Sequence, residues 1–276
     1  MNKLLNAGFS RLKKDKIFWI VTVSMLVCSI VYMLNGCRQA ALDTMSEYQY
    51  GLDHYYFSYS PFIGLFCSVI TSMFLGTEYS DGTIRNKHIA GHTRKDIYLS
   101  SLILSFTISL ALLCTWWLGA LSGVPFLGFW RMGSGVLIYL LVSILYLAAF
   151  SAIFTAISML VSHKAMAQMV SVLLFLGLLS FAGKFYGALQ QPEFESGILI
   201  TSEDMSMSDP VPNPAYVTGT MREIYQFLVD FLPTGQCLLM YELKIVHPLR
   251  MILSSLFITG AVSFSGLWFF QKKNLK

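Results

Sequence analysis

The sequence predicts an all-α integral membrane protein with six transmembrane helices and both termini on the cytoplasmic side. Three observations carry this. The 276 residues are 55% hydrophobic and only 12% charged, with a mean hydropathy of +0.61, the composition of a membrane protein. Six long runs contain no Asp, Glu, Lys or Arg: Ile17 to Cys37, Tyr55 to Thr77, Ile97 to Trp130, Met132 to Ser162, Ala165 to Gly183 and Met251 to Gln271. Each supplies the roughly 20 residues that a hydrocarbon core about 30 Å thick demands. Finally, with six spans, 13 of the 19 Lys and Arg residues fall on the face that holds the termini, which the positive-inside rule makes cytoplasmic.

Residues 1–16 place Leu4, Leu5, Phe9 and Leu12 at helical spacing among Lys3, Arg11, Lys13, Lys14 and Lys16. This reads as an interfacial amphipathic helix, or as a basic tail that only enforces topology. Asn35-Gly36-Cys37 is a poor cleavage site, so the first run is expected to stay in place as a span, 17–36. The loop after it ends in Tyr48, Tyr50, Tyr55, Tyr56 and Tyr59, the composition of an aromatic belt.

The second span is expected at 57–77, a polar loop at 78–96 and the third span at 97–121, where Gly123-Val124-Pro125 breaks the helix before a wet turn at Trp130-Arg131. The fourth and fifth spans follow at 135–161 and 165–184, and the sixth at 250–271. Between the last two, residues 185–249 form an outer loop. Its first half is acidic and rich in Pro and Ser, which suits an exposed loop. Its second half is amphipathic but interrupted by Asp230 and Pro233-Thr234-Gly235, which suits two short, re-entrant-like helices dipping into the outer leaflet.

Several function classes are disfavoured. The net charge of +4 is an inner surplus partly masked by the acidic outer loop, which argues for anionic lipid headgroups and against nucleic acid as a partner. The six uncharged runs lack the buried carboxylate that a proton-coupled carrier keeps, and no G-x-S-x-G lies in a span. His88 and His92 stand four apart, but Ile89 follows His88 and Gly91 is expected to end the helix between them, so no metal site is expected. Of the five cysteines, only Cys37 and Cys237 would face outside; a bridge between them is geometrically open but unsupported by any framework.

The polar island Gly76 to Ser100 is the densest group of charges between two spans. Asp81 is a good N-cap, Gly82 to Ala90 can form a short helix, Gly91 can stop it in the left-handed conformation, and Thr93 with Asp96 can cap the third span. A helix tied to two spans at both ends has the geometry of a lever; an ordinary topology-setting loop is the plainer alternative.

Glu78-Tyr79-Ser80-Asp81-Gly82-Thr83-Ile84-Arg85-Asn86-Lys87, with Gly91, Arg94 and Ile97-Tyr98-Leu99-Ser100, resembles the loop after the second span of ABC-2 type transporter permeases. Phe231-Leu232-Pro233-Thr234-Gly235-Gln236 before the last span is similar to that family too, and with the six-span layout the likeness covers nearly the whole chain. The resemblance implies a permease that pairs with a second copy as a homodimer and binds two ABC ATPase subunits through a coupling helix. Carried over, Glu78, Asp81, Gly82, Thr83, Arg85 and Lys87 would contact the ATPase, while Phe62, Phe66, Met73, Met169, Leu173 and Phe175 would line a substrate path. The expected cargo is an amphipathic or hydrophobic molecule exported outward, a peptide such as a toxin or antimicrobial, or a lipid-like molecule. The chain has no G-x-x-x-x-G-K-[ST], and Gly183-Lys184-Phe185 lacks the hydroxyl, so it is expected to bind no cofactor itself, with ATP and Mg on the partner. The alternative from another class is a non-transporting sensor or assembly scaffold that binds a cytoplasmic partner through the basic loop.

Overall fold

In the computed structural model, residues 1–42, 52–127, 135–195, 198–200, 205–207 and 210–274 are described. Tyr48, Tyr50 and the Trp130-Arg131 turn lie outside them. Helix α1 (Asn2–Lys14) buries Leu4, Gly8 and Leu12 against α6. Asp15 then accepts hydrogen bonds from the backbone N–H groups of Ile17 (2.8 Å) and Phe18 (3.1 Å), capping α2 (Lys16–Leu42) and fixing the bend between the two helices. After α3 (Leu52–Phe57), Pro61 opens α4 (Ser60–Ser80) in its first turn, where a missing N–H costs nothing. The short α5 (Thr83–Ile89) leads to α6 (Arg94–Ala120), whose end is a 3₁₀ turn at Leu121–Gly123 followed by α7 (Val124–Leu127). Then come α8 (Val136–Leu160), α9 (Lys164–Leu189), α10 (Gly219–Phe231), α11 (Pro233–Tyr241) and α12 (Pro248–Lys272).

Six of these elements are long and apolar enough to cross a membrane: α2, α3 with α4, α6 with its 3₁₀ turn, α8, α9 and α12. The fold is thus an all-α integral membrane protein. The helix α4 is the most enclosed, packed by α6, α8, α9 and α11, whereas few residues of α2, α9 and α12 are buried. With lipid tails as apolar as leucine, helices gain little by hiding apolar side chains from one another and rely on close packing and hydroxyl hydrogen bonds. The centre is built that way. Thr71 meets Ser105 (3.2 Å), Ser109 meets Ser151 (3.0 Å), and Tyr59 donates to Ser143 (2.6 Å), all fully buried between α4, α6 and α8.

The outer loop differs from its expected form. Its first half pairs as a ribbon: β1 (Phe194–Glu195) with β4 (Val211–Pro212), and β2 (Ile198–Ile200) with β3 (Met205–Met207), both antiparallel. The apolar β-formers Ile198-Leu199-Ile200 supply the pairing that the surrounding acidic and prolyl residues disguise. Cys37 and Cys237 are both free thiols, and Cys237 is buried, so the bridge is not formed.

The second half forms the expected pair of short helices, and Phe231-Leu232-Pro233-Thr234-Gly235-Gln236 is their hinge and fastening. Pro233 starts α11. Thr234 donates to the Leu178 carbonyl of α9 (3.0 Å). The Gln236 amide donates to the carbonyls of Asp230 (2.9 Å) and Met251 (3.1 Å) and accepts from Ser255 (2.8 Å), bolting the hairpin to α12. A Cβ on Gly235 would lie 2.2 Å from the Val229 carbonyl oxygen, so the turn closes only with glycine. Gly235→Ala is therefore expected to cost about 1–3 kcal/mol, read as a lower melting temperature in detergent, while Gly177→Ala, whose Cβ meets nothing within 4 Å, melts like the parent. Equal melting of the two variants would refute the assignment.

Candidate functional site

The polar island folds around one buried carboxylate. Helix α4 runs on to Ser80, three residues past its expected end, and carries Glu78 with it. Glu78 is 2% exposed. Its carboxylate accepts from Arg11 of α1 (2.8 Å) and, through both oxygens, from Lys87 of α5 (2.8 Å each). Arg11 is itself fixed: it donates to the Phe74 carbonyl (2.6 Å) and to the Thr77 hydroxyl, and lies 4.4 Å over the Phe74 ring. One anion between two cations leaves no uncompensated negative charge, and removing one member of such a buried pair typically costs about 3–5 kcal/mol. The result is a clasp joining α1, α4 and α5.

A second fastening lies beneath α5. Ile84 is buried with Leu4 of α1, Ile97 and Tyr98 of α6, Met159 of α8 and Phe270 of α12, a small apolar core separate from the main one. Around its edge, Tyr79 donates to the Met159 carbonyl (2.5 Å), and Lys273 donates to the Tyr79 hydroxyl (3.1 Å) and the same carbonyl (3.0 Å). Burial lowers the Lys273 ammonium from its ordinary value to about 8. Arg94 donates to the carbonyls of Gln271 (2.5 Å) and Lys273 (2.8 Å), tying the end of α12 to the start of α6.

The ends of α5 are built as turns. Gly82 (φ +66) and Gly91 (φ +88) occupy the left-handed region, Gly91 where it is expected and Gly82 as the residue before the helix. Asp81 is therefore not the N-cap: because α4 extends this far, Asp81 closes α4, its N–H donating to the Thr77 carbonyl (2.9 Å), and its exposed carboxylate accepts from the neighbouring Ser80 hydroxyl (3.3 Å). Thr83 donates to the Glu78 carbonyl (2.9 Å). Thr93 caps α6, accepting from the Asp96 N–H (3.1 Å) and donating to its carboxylate (2.8 Å). The His88 ring lies 3.3 Å from the His92 carbonyl.

The six island residues thus divide. Asp81 and Arg85 are exposed, Gly82 and Thr83 are half-buried, Lys87 is largely taken up by the clasp, and Glu78, expected to face a partner, is instead enclosed within the chain. In the sequence Arg11 counts only as a topology charge, and Ile89, which can face lipid or protein, stands outside the expected contact set although it is 72% exposed at the tip of α5. A cleft of about 420 Å³ lined by Glu78, Tyr79, Gly82, Ile84, Arg85, Ser162 and Asn274 opens beside the helix.

The expected path residues are not gathered on one wall. Phe62 of α4 and Met169 and Leu173 of α9 are exposed, whereas Phe66 and Met73 are half-buried, Met73 toward Asp15, Ile17 and Phe18. Phe175 is a packing residue: it is 1% exposed, fills the space above Gly64 and meets the Phe150 ring at 5.6 Å.

Over residues 4–183 the sequence matches the family described as ABC-2 family transporter protein, well over half of the chain and all three members of the clasp. No curated protein and no solved structure matches it. With six apolar helices and this match, the chain belongs to the ABC-2 transporter family: it is a multi-pass membrane permease of an ABC transporter, a transmembrane component that works with an ABC ATPase.

Proposed function

We propose that this permease exports an amphipathic or hydrophobic molecule, a peptide such as a toxin or antimicrobial, with α5 as the coupling helix that receives motion from the ATPase. The observation that carries the mechanical part is the clasp: a helix whose base is held by Glu78 and whose apolar side is held by Ile84 passes any displacement to α1, α4, α6, α8 and α12 together. The charge asymmetry supports a cytoplasmic place for this end and an outer one for the α10–α11 hairpin. Two permease copies form a homodimer and two ATPase subunits hold ATP and Mg. Nucleotide closes the ATPase pair, draws the coupling helices together, and switches the spans from inner to outer access.

On this reading Asp81, Arg85 and Ile89 form the contact surface, with Gly82 and Thr83 shaping it, while Glu78 and Lys87 act behind it as positioning residues. The exposed Met169 and Leu173 of α9 and Phe62 of α4 offer adaptable apolar surface to cargo or to the second copy. An immunity role, in which such a peptide is removed from the membrane, uses the same parts.

The two layers are separable by experiment. Arg85→Glu or Asp81→Lys is expected to uncouple ATP hydrolysis from transport in properly inserted protein; unchanged substrate-stimulated hydrolysis and transport in both would defeat the coupling assignment. Glu78→Gln leaves the surface intact, so the ATPase still copurifies, but transport falls by about 5–150-fold, the range of a 1–3 kcal/mol coupling. Parental transport by that variant would remove the clasp from the mechanism.

A further inference from the structure

The hairpin end contains a second enclosed acid, and it is fastened differently. Asp230, at the end of α10, is 0% exposed. One oxygen, Oδ2, lies 3.1 Å from Arg250 and 3.2 Å from Nδ1 of His247, both from the first turn of α12 or the residue before it. The other, Oδ1, is buried with no hydrogen-bond partner. Arg250 and His247 are about two-fifths exposed, at 40% and 42%. They line an open groove of about 870 Å³ with Arg222, Glu223 and Phe227, so water reaches both side chains while the carboxylate sits behind them. The charged side chains acting on Asp230 are these two from α12; α9 and α11 set none against it, α11 offering the Gln236 amide to its backbone carbonyl instead.

We propose that Asp230, His247 and Arg250 form a proton-linked latch: docking of the α10–α11 hairpin on α12 takes up a proton from the outer medium, and undocking releases it. An enclosed carboxylate with one oxygen unsatisfied is held more cheaply neutral than charged. When the hairpin lifts, the same group meets water and ionises at its ordinary value. Burial accordingly raises the Asp230 carboxyl above that value despite the opposing pull of His247 and Arg250. The sign follows from linkage. The docked state binds the proton more tightly, so lowering the outer pH favours docking and raising it favours opening, the reverse of a simple ion pair broken by acid. That the proton comes from the outer medium rests on the proposed orientation; the latch itself does not.

Cys237, buried in α11, is a native reporter of hairpin opening. In the full-length chain with the other four cysteines replaced, its labelling by an impermeant maleimide is measured in vesicles of both orientations, relative to a reference Glu195→Cys, at about pH 5 and about pH 8. The normalised rate is expected to rise with pH, by at most about tenfold per pH unit for one proton. In Asp230→Asn it stays flat. Should that variant fail to insert, Arg250→Gln is expected to move the profile to higher pH, because the cation that opposes protonation is gone. The same pH profile in Asp230→Asn as in the parent, an unshifted profile in Arg250→Gln, or faster labelling in acid would overturn the latch. Labelling confined to inside-out vesicles would overturn the orientation instead and leave the profile as the test of the latch.

Discussion

A carboxyl group that is 2% exposed must be either neutral or matched by positive charge, and the way Glu78 is matched decides what moves with what in this protein. Its two cations come from two other elements, Arg11 on α1 and Lys87 on α5. Any rearrangement that separates α1 or α5 from α4 takes one of its two cations away from the enclosed carboxylate. The clasp therefore makes three short pieces of chain, which their loops alone would leave independent, into one body. A hydrogen-bonded turn of the same length would tolerate far more motion, because its groups could exchange protein for water at little net cost.

From that body a continuous series of contacts runs to the opposite end. Ile84 rests on Phe270 and Tyr98, and Arg94 holds the last carbonyls of α12. Helix α12 packs along α8 and at its other end meets the hairpin through Gln236, Ser255 and the Asp230 contacts. Both ends of α12 are thus fixed by specific polar contacts, while its flanks are exposed and carry Leu253, Phe257 and Phe264. This is the build of a strut: it transmits displacement along its axis and slides against lipid. In the proposed export cycle, motion received at α5 reaches the hairpin by this route, and Asp230 sets how readily the hairpin responds.

Much of this is written in local sequence. Runs without charge locate the spans because a charge at depth is expensive, and lopsided Lys and Arg orient them. The hairpin is visible because Pro233 and Gly235 forbid one continuous helix. What escapes is anything that depends on depth or on pairing across elements. Glu78 reads as a surface residue because its neighbours are polar; only the run of α4 to Ser80 shows that it lies inside. A signal was present in α1, where Leu4, Gly8, Arg11 and Leu12 fall on one helical stripe, so that an arginine on an apolar face demands a buried acid. The serine and threonine contacts at the centre are similarly illegible, since hydroxyls in spans bond their own helix or a neighbour with equal ease. Phe175 reads as adaptable cargo surface and proves to be packing, because nothing local to it reveals Gly64 opposite.

The claim that α5 and α1 move as one body is tested most directly by measuring their separation through the transport cycle. Spin labels at Asn86 on α5 and Ser10 on α1, both exposed, report it by pulsed dipolar spectroscopy in the permease–ATPase complex in lipid, with labelled permease diluted into excess unlabelled copies so that only distances within one chain are read. The account predicts one distance distribution, the same without nucleotide and with ATP bound. A separation that changes between those states would show that α5 travels without α1, and the clasp would not be what transmits its motion.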